Sequence, residues 1–170
     1  MSLHRSGPST STRKHWTFPA NTSGKTWPQW QLRLRYSGLT TASKPDVICD
    51  IGHNAHGLRL VFDQLRAVAP GYHHVYIIFG VVGDKDVEAI SPLMIGPGGN
   101  VSYILTQPST QRAMPVERLA ATLERHGISG ISAPTVAEAI AIANKEAAAE
   151  DLIFIGGSNF TVSDALTLFP

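Results

Sequence analysis

Cysteine is almost absent from this chain of 170 residues, which contains only Cys49. A single cysteine excludes a disulfide framework or a cysteine-rich metal site within one chain, and it fits a reducing compartment. Long hydrophobic runs are also absent: no apolar stretch approaches the roughly 18 residues that span a bilayer, and the N-terminus lacks the apolar core of a secretory signal. These absences predict a cytoplasmic protein with no membrane segment. Cys49 lies inside an apolar run and is predicted to be an inert core residue.

Acidic residues are absent from residues 1–44, which we call the arm; it holds seven Lys or Arg residues, 14 Ser or Thr residues and all three Trp residues. Residues 45–170, the body, carry seven basic and thirteen acidic residues, so the arm is +7 and the body −6. The arm has no sustained hydrophobic period and is predicted to be poorly ordered. A transit peptide or a nucleic-acid-binding tail would also be basic, but the body supports neither, so a nucleic-acid partner is not expected. A gene-start artefact, or an irregular tail that packs on the body through its tryptophans, would also have this composition.

The body alternates between short apolar runs and amphipathic stripes. Strands are predicted at residues 47–51, 74–79, 100–105 and 152–155, with a weaker one near 128–132, and helices at about 54–68, 85–91, 114–126, 135–148 and 160–168. Near-continuous apolar strands are expected where helices cover both faces of a parallel sheet. The alternation therefore predicts one α/β domain with an open, doubly wound sheet.

The first predicted strand ends in a polar cluster, DIGHN at residues 50–54, which opens a helix. Open α/β sheets bind ligands at the carboxyl ends of their strands, where these residues would lie. Asp50 is predicted either to bind a ligand or to accept amides from its own turn, because a buried unpaired carboxylate is costly. His53 is either a site residue or a surface loop residue. Asn54 is predicted to cap the helix, with a ligand contact as the alternative.

Later loops add further candidates. Lys85, in GVVGDKD at residues 80–86, either attracts an anionic substrate or pairs with Asp84 or Asp86 in solvent. Ser158, in GGSN at residues 156–159, either contacts a carboxylate or phosphate at a helix start or only caps that helix. Arg112 is an isolated loop arginine and a candidate substrate contact. The sequence contains no dinucleotide fingerprint and no phosphate loop, and no metal site is predicted in this chain.

Three motifs occur in a specific order: DIGHN at residues 50–54, FGVVGDKD at 79–86 and IGGSNFTVSDAL at 155–166. Together they resemble the C-terminal domain of bacterial folylpolyglutamate synthase/dihydrofolate synthase, a domain shared with Mur ligases, and the resemblance covers residues 45–169. It implies a Rossmann-like three-layer fold, mostly parallel, with one antiparallel strand. The site roles that it implies are ATP contacts for Asp50 and Asn54, a position near the incoming glutamate or the acyl phosphate for His53, and glutamate or substrate contacts for Ser158, Lys85 and Arg112.

One part of the family pattern is altered in this chain. The family carries a Gly-Arg-Trp-Gln segment whose arginine reaches the ATP phosphates. Residues 28–31 read PQWQ, so Gln29 stands where that arginine belongs. Arg33 and Arg35 are the candidate substitutes, and Arg35 is taken as the predicted ATP contact.

The resemblance implies part of an ATP-dependent ligase of folate metabolism that adds L-glutamate to a folate or to dihydropteroate. In such a reaction ATP phosphorylates the substrate carboxylate, the glutamate amine attacks the acyl phosphate, and Mg²⁺ shields the transferring charge. The ATPase domain and the Mg²⁺ ligands are expected in an N-terminal domain missing from this chain, which alone is expected to be inactive. The alternative is a stand-alone nucleotide- or small-anion-binding module without catalysis; an upstream phosphate-loop motif in the full gene would favour the ligase.

Overall fold

The computed structural model describes residues 32–34, 45–96 and 99–169. Within these ranges the chain forms six strands and five α-helices. In chain order they are β1 (Leu32–Leu34), β2 (Asp46–Cys49), α1 (Ala55–Val68), β3 (Val75–Phe79), α2 (Val87–Ile90), β4 (Val101–Thr106), α3 (Val116–Glu124), β5 (Gly130–Ala133), α4 (Val136–Glu146), β6 (Leu152–Gly156) and α5 (Asn159–Leu168). Short 3₁₀ turns at Ala69–Gly71 and Ser91–Leu93 follow α1 and α2.

The described strands form one sheet in the order β1-β2-β6-β3-β4-β5. Strands β2 to β6 run parallel to their neighbours, whereas β1 pairs with β2 in the antiparallel sense. The predicted fold class is therefore confirmed, including its antiparallel strand. That strand lies within the arm, where Leu34 is opposite Val47 in the register. Arg35 and the other arm residues outside β1 are not among the described residues.

Helices cover both faces of the sheet because alternate side chains of each strand point to opposite sides. One core lies between the sheet and α1, α2 and α3, where Phe62 and Phe79 pack with their ring centroids 6.1 Å apart. The other core lies against α4 and α5 and contains Cys49, Ile155 and Ala165. All residues of the central strand β6 are buried, which explains its continuous apolar sequence.

The helix boundaries differ from the predicted ones by a few residues because of capping. α2 is shorter than predicted, since Asp86 caps it and a 3₁₀ turn containing Pro92 follows. α3 begins after Pro115, which occupies its N-cap position. α4 begins where the sequence predicts, because the Thr135 hydroxyl accepts a hydrogen bond from the Glu138 amide over 3.2 Å.

The parallel strands β2, β6, β3 and β4 are consecutive neighbours, so their carboxyl ends meet at one edge of the sheet. We call this the carboxyl edge. The four loops there comprise residues 50–54 after β2, 157–158 after β6, 80–86 after β3 and 107–115 after β4. All candidate residues of the body predicted from the sequence lie in these loops.

Candidate functional site

Asp50 follows β2 directly and is only 2% exposed. Its Oδ1 accepts a hydrogen bond from the Gly52 amide over 2.7 Å, whereas its buried Oδ2 has no hydrogen-bond partner among the described residues. Burial raises the pKa of the Asp50 carboxyl above its usual value, and the Gly52 hydrogen bond partly offsets this increase. One oxygen therefore holds the turn, and the other is buried without a hydrogen-bond partner among the described residues.

The turn between β2 and α1 carries His53 and Asn54. Asn54 caps α1 as predicted, because its Oδ1 accepts a hydrogen bond from the Gly57 amide over 2.7 Å. His53 is exposed, and its Nδ1 lies 3.1 Å from the carbonyl oxygen of Ile51. A carbonyl oxygen can only accept a hydrogen bond, so this contact requires the proton on Nδ1. In neutral His53 the Nε2 atom is then able to accept a proton.

Ser158 follows β6, is 1% exposed and caps α5 by accepting a hydrogen bond from the Thr161 amide over 3.1 Å. Its Oγ also lies 2.9 Å from Thr161 Oγ1, which donates to the Gly80 carbonyl over 2.9 Å. Since the Thr161 hydroxyl has one hydrogen, Ser158 must be the donor between the two hydroxyls. The hydroxyl hydrogen of Ser158 is therefore used in a hydrogen bond within the protein. This agrees with the predicted alternative in which Ser158 only caps the helix.

Glycine allows the loop after β6 to pass close to the end of β3. Gly157 has a φ of +97°, a conformation that side chains with a Cβ rarely adopt, and a Cβ there would lie 2.6 Å from the Gly80 carbonyl oxygen. On the other side of β6, the Asp50 amide donates to the Ile155 carbonyl over 3.0 Å. The ends of β2, β6 and β3 are therefore joined by direct backbone contacts.

The loop after β3 is also tied to the loop after β4. The Gly83 amide donates to the Arg112 carbonyl over 2.6 Å, and Arg112 Nη2 lies 2.7 Å from Asp84 Oδ2 in an exposed ion pair. Arg112 is therefore not an isolated arginine, because a carboxylate from the neighbouring loop contacts it. The sequence could not indicate this pair, since the residues are 28 positions apart.

Lys85 lies between two carboxylates that are both engaged elsewhere. Asp84 pairs with Arg112, and Asp86 Oδ1 accepts a hydrogen bond from the Ala89 amide over 3.1 Å, which caps α2. Lys85 itself is half-buried and has no ion pair with any described residue. Of the two predicted alternatives, pairing with Asp84 or Asp86 is thus not the arrangement found.

The structure brings the candidates of the body to one edge of the sheet, with Asp50, His53, Asn54 and Ser158 at the ends of β2 and β6 and with Lys85 and Arg112 at the ends of β3 and β4. Arg35 lies outside the described residues, so its ATP contact stays a prediction.

Thr161 was not predicted from the sequence. Its position could have indicated a role in capping, because Thr161 lies three residues after Ser158. A capping box has Glu or Gln at that position, and this chain has a threonine hydroxyl there.

Within the described residues, no group of three or more His, Cys, Asp or Glu side chains is placed to hold a metal ion. Nor does that part of the chain contain a helix long and apolar enough to cross a membrane.

Cys49 is fully buried, and burial together with the nearby Asp50 charge raises the pKa of its thiol to about 12. A buried thiol with so high a pKa is a poor nucleophile, in keeping with the predicted inert role.

The sequence profile of the family described as "Mur ligase, glutamate ligase domain" matches residues 34–159. The chain belongs to this family. The matched range begins in β1 and ends at the first residue of α5, so this glutamate ligase domain includes every candidate site residue from Arg35 to Ser158. The resemblance indicated by the three motifs is thereby confirmed.

Several relatives of the glutamate ligase domain are known. A "probable bifunctional folylpolyglutamate synthase/dihydropteroate synthase" of Halobacterium salinarum is 31% identical over 139 residues, covering 81% of this chain and 16% of that protein. A Mycobacterium tuberculosis folylpolyglutamate synthase complexed with ADP and AMPPCP is 26% identical with a TM-score of 0.65, covering 86% of this chain and 33% of that one. E. coli FolC in complex with ADP, at 24% identity and a TM-score of 0.61, covers 75% of this chain and 29% of that one and supports the fold alone. The chain thus spans no more than about a third of the length of these relatives.

Proposed function

We propose that this glutamate ligase domain is the C-terminal part of an ATP-dependent folate–glutamate ligase of the folylpolyglutamate synthase/dihydrofolate synthase type. The observation that carries the proposal is the carboxyl edge, where a buried carboxylate, a histidine and two cations lie on neighbouring strand ends. The ADP and AMPPCP in the M. tuberculosis relative support a nucleotide as one ligand. The proposed substrates are ATP, L-glutamate, and a folate or dihydropteroate.

In the proposed reaction ATP phosphorylates the carboxylate of the folate substrate, and the glutamate amine then attacks the acyl carbon and expels phosphate. Asp50 is proposed to accept a hydrogen bond from a hydroxyl of the nucleotide ribose; its Oδ2 lacks a donor among the described residues but is buried, so nucleotide binding must expose it. His53 Nε2 would take the proton that the glutamate ammonium group must lose before it can attack. Closure of this domain over the substrates would exclude water from the hydrolysable acyl phosphate.

The described residues contain no group of three or more His, Cys, Asp or Glu side chains placed to hold a metal ion. The proposal therefore assigns Mg²⁺ and the ATP phosphates to a separate ATPase domain of the complete ligase. It follows that this chain alone should not turn over substrate. Because ATP and folates are intracellular metabolites, the proposed site of action is the cytoplasm.

The nucleotide part of the proposal can be tested on the chain itself by following backbone amide shifts during titration with AMPPNP and then with L-glutamate. The largest shifts are expected at residues 50–54 and 157–160. Asp50→Ala should weaken AMPPNP binding roughly ten- to hundredfold, the effect of losing one charged hydrogen bond. The matched control is Asp63→Ala, because Asp63 is exposed on α1 and pairs only with Arg66 in the described structure. Equal affinities of the two variants would contradict the nucleotide site.

A second measurement tests whether a separate ATPase domain is needed for turnover. Purified chain, supplied with ATP, folate and L-glutamate, is expected to release no ADP. Steady ADP release that depends on folate and glutamate would show that no separate ATPase domain is needed. In a complete ligase, His53→Ala should lower turnover more than ATP affinity, because its proton transfer matters in the transition state.

A further inference from the structure

A groove lies on the α4 side of the sheet, at the amino ends of β3, β4 and β5. Its volume is about 650 Å³, and none of the candidate site residues lines it. The lining residues that decide its chemistry are His74, Tyr76, Ser102, Ile131, Ile142 and Glu146. The groove is thus at the opposite end of the strands from the carboxyl edge and separate from the proposed ligase site.

Two aromatic rings and an exposed isoleucine give the groove its contact surface. The rings of His74 and Tyr76 have centroids 4.6 Å apart. His74 Nε2 lies 2.9 Å from Ser102 Oγ, and the Tyr76 hydroxyl donates to the Glu146 carbonyl over 3.3 Å, so both rings are held in place. Ile131, on the edge strand β5, is 54% exposed. Such a surface is well covered by another large aromatic side chain.

The α4 side of the sheet is acidic. Residues 134–170 follow β5 and contain one basic residue, Lys145, and five acidic ones, Glu138, Glu146, Glu150, Asp151 and Asp164. Glu146 ends α4, where the free carbonyl groups of the helix add partial negative charge. Burial, followed by the charges of Asp151 and Glu146, raises the pKa of Tyr76, so both carboxylates act on the groove. The groove therefore favours a cationic occupant.

The arm has the complementary composition. It carries seven basic residues, no acidic residue and all three Trp residues of the chain. Residues 13–16 read RKHW, so two cations precede Trp16 closely. A tryptophan can pack on the ring pair while a neighbouring cation pairs with a carboxylate. These four residues lie outside the described part of the chain.

The route from β1 to the groove has a minimum length. β1 begins at Leu32, which is opposite Cys49 at the carboxyl end of β2. Four strand spacings separate β1 from β4, about 19 Å across the sheet. Along the strands the offset is about 13 Å, because Cys49 is level with Ile78 and His74 lies four residues before Ile78. The groove is therefore about 23 Å from Leu32 in a straight line, and farther around the helices on this side.

Chain length selects among the tryptophans. Lys25 and Trp27 offer chemistry similar to that of residues 13–16, but Trp27 precedes Leu32 by only five residues, which span at most about 18 Å. Trp16 precedes Leu32 by sixteen residues, which span up to about 55 Å. Trp16 can therefore reach the groove, whereas Trp27 cannot. The covalent tether also gives residues 13–16 an effective concentration on the order of 1 mM, so weak contacts are enough for docking.

We infer that residues 13–16 of the arm dock in this groove of the same chain. Trp16 covers the ring pair and Ile131, and Arg13 or Lys14 lies beside Glu146. Docking covers apolar surface on β5, whose free edge is open to pairing with a strand of another chain. It does not depend on the proposed ligase activity, because the groove lies away from the carboxyl edge.

Tryptophan fluorescence reports on the arm alone, because the body contains no tryptophan. Two full-length chains are compared. One keeps only Trp16, through Trp27→Phe with Trp30→Phe, and the other keeps only Trp27, through Trp16→Phe with Trp30→Phe. The Trp16 chain should emit at a shorter wavelength and be quenched less by acrylamide, because docking removes its indole ring from water.

Two groove variants are made in the Trp16 chain, both at exposed positions so that the fold is retained. Glu146→Gln should shift the docking equilibrium roughly two- to fivefold toward the free arm, the range of an exposed ion pair. Ile131→Ser should act in the same direction by removing apolar contact area. The matched control is Glu117→Gln, which removes the same charge from an exposed glutamate on α3, across the sheet from the groove.

Protection of Trp16 that is independent of protein concentration, weakened in both groove variants and unchanged in Glu117→Gln would support the inference. Equal quenching of Trp16 and Trp27 would overturn it. Protection that survives both Glu146→Gln and Ile131→Ser would also overturn it, because the arm would then lie elsewhere. Protection that disappears on dilution would show that the arm of a second copy is the occupant, and would overturn docking within one chain.

Discussion

The Thr161 hydroxyl donates a hydrogen bond to the Gly80 carbonyl over 2.9 Å, although the two residues are 81 positions apart. Both residues are buried, and the contact joins the first turn of α5 to the end of β3. The same hydroxyl accepts from Ser158, which caps α5. One side chain therefore sets the position of α5 relative to the loop that carries Lys85.

Replacing Thr161 by Val should lower the free energy of unfolding by roughly 1 to 3 kcal/mol, because it leaves the Gly80 carbonyl and the Ser158 hydroxyl buried without their partner. Thr161→Ser keeps the hydroxyl and should cost less than Thr161→Val. Urea denaturation of both variants measures the difference. Equal losses for Val and Ser would mean that packing of the methyl group, and not the hydrogen bond, stabilises this contact.

Gly157→Ala should be more destabilising than Gly127→Ala. Both glycines have positive φ, +97° and +75°, but a Cβ at Gly157 would lie 2.6 Å from the Gly80 carbonyl oxygen whereas one at Gly127 would meet nothing within 4 Å. Gly127→Ala should therefore cost about 1 kcal/mol for backbone strain alone, and Gly157→Ala roughly 2 to 5 kcal/mol for strain and overlap together. The free energies of unfolding in urea provide the comparison, and a similar loss at both positions would refute the close approach of Gly157 to β3.

Cys49 should resist alkylation in the folded protein. Its thiol is fully buried, and its pKa of about 12 leaves roughly a thousandth of the thiolate that an ordinary cysteine has near pH 8. Iodoacetamide labelling, followed by mass spectrometry, should be very slow in buffer and rapid in concentrated urea. Rapid labelling of the folded chain would show that β2 opens readily or that the thiol is accessible.

Glu88 should make stability depend on pH in the acidic range. Hydrogen bonds from His126 and Arg125 lower the pKa of the Glu88 carboxyl in the folded state. The unfolded chain then binds the proton more readily, so this contribution is complete above about pH 4.3 and is lost as the pH falls through the lower folded pKa. Melting temperatures of Glu88→Gln and wild type should differ at neutral pH and converge on acidification. Glu117→Gln, which removes a charge from an exposed glutamate on α3, serves as the control.

Two truncations can test the arm in parts, because β1 lies within the arm. Removing residues 1–31 leaves β1 in the chain, whereas removing residues 1–44 deletes β1 and leaves β2 as an edge strand. Both truncated chains should melt cooperatively, and the shorter one should lose roughly 1 to 3 kcal/mol with the β1 hydrogen bonds. Thermal melts followed by circular dichroism test this. Loss of cooperative melting on removal of residues 1–31 would show that this segment is required for the fold.

Much of the carboxyl edge was predictable because its residues act within one turn of the chain. Asn54 was predicted to cap α1 from its position before an amphipathic stripe, and it does so through an amide three residues ahead. Asp50 was predicted to be buried and either turn-bonded or facing a ligand; it is buried, and its Oδ1 accepts the Gly52 amide of its own turn, while the ligand contact stays a prediction. Such predictions succeed because burial and capping depend on residues that are close together in the sequence.

The sequence alone determined that the body is an α/β domain. The spacing of its apolar residues indicates whether a helix or a strand would bury them on one face. It also determined that polar residues follow several of the strands. Only the tertiary structure decided that β6 inserts between β2 and β3, that Asp84 pairs with Arg112 rather than with its neighbour Lys85, and that Thr161 contacts Gly80. These relationships join segments far apart in the chain, and they depend on how the crossover helices pack rather than on any local preference.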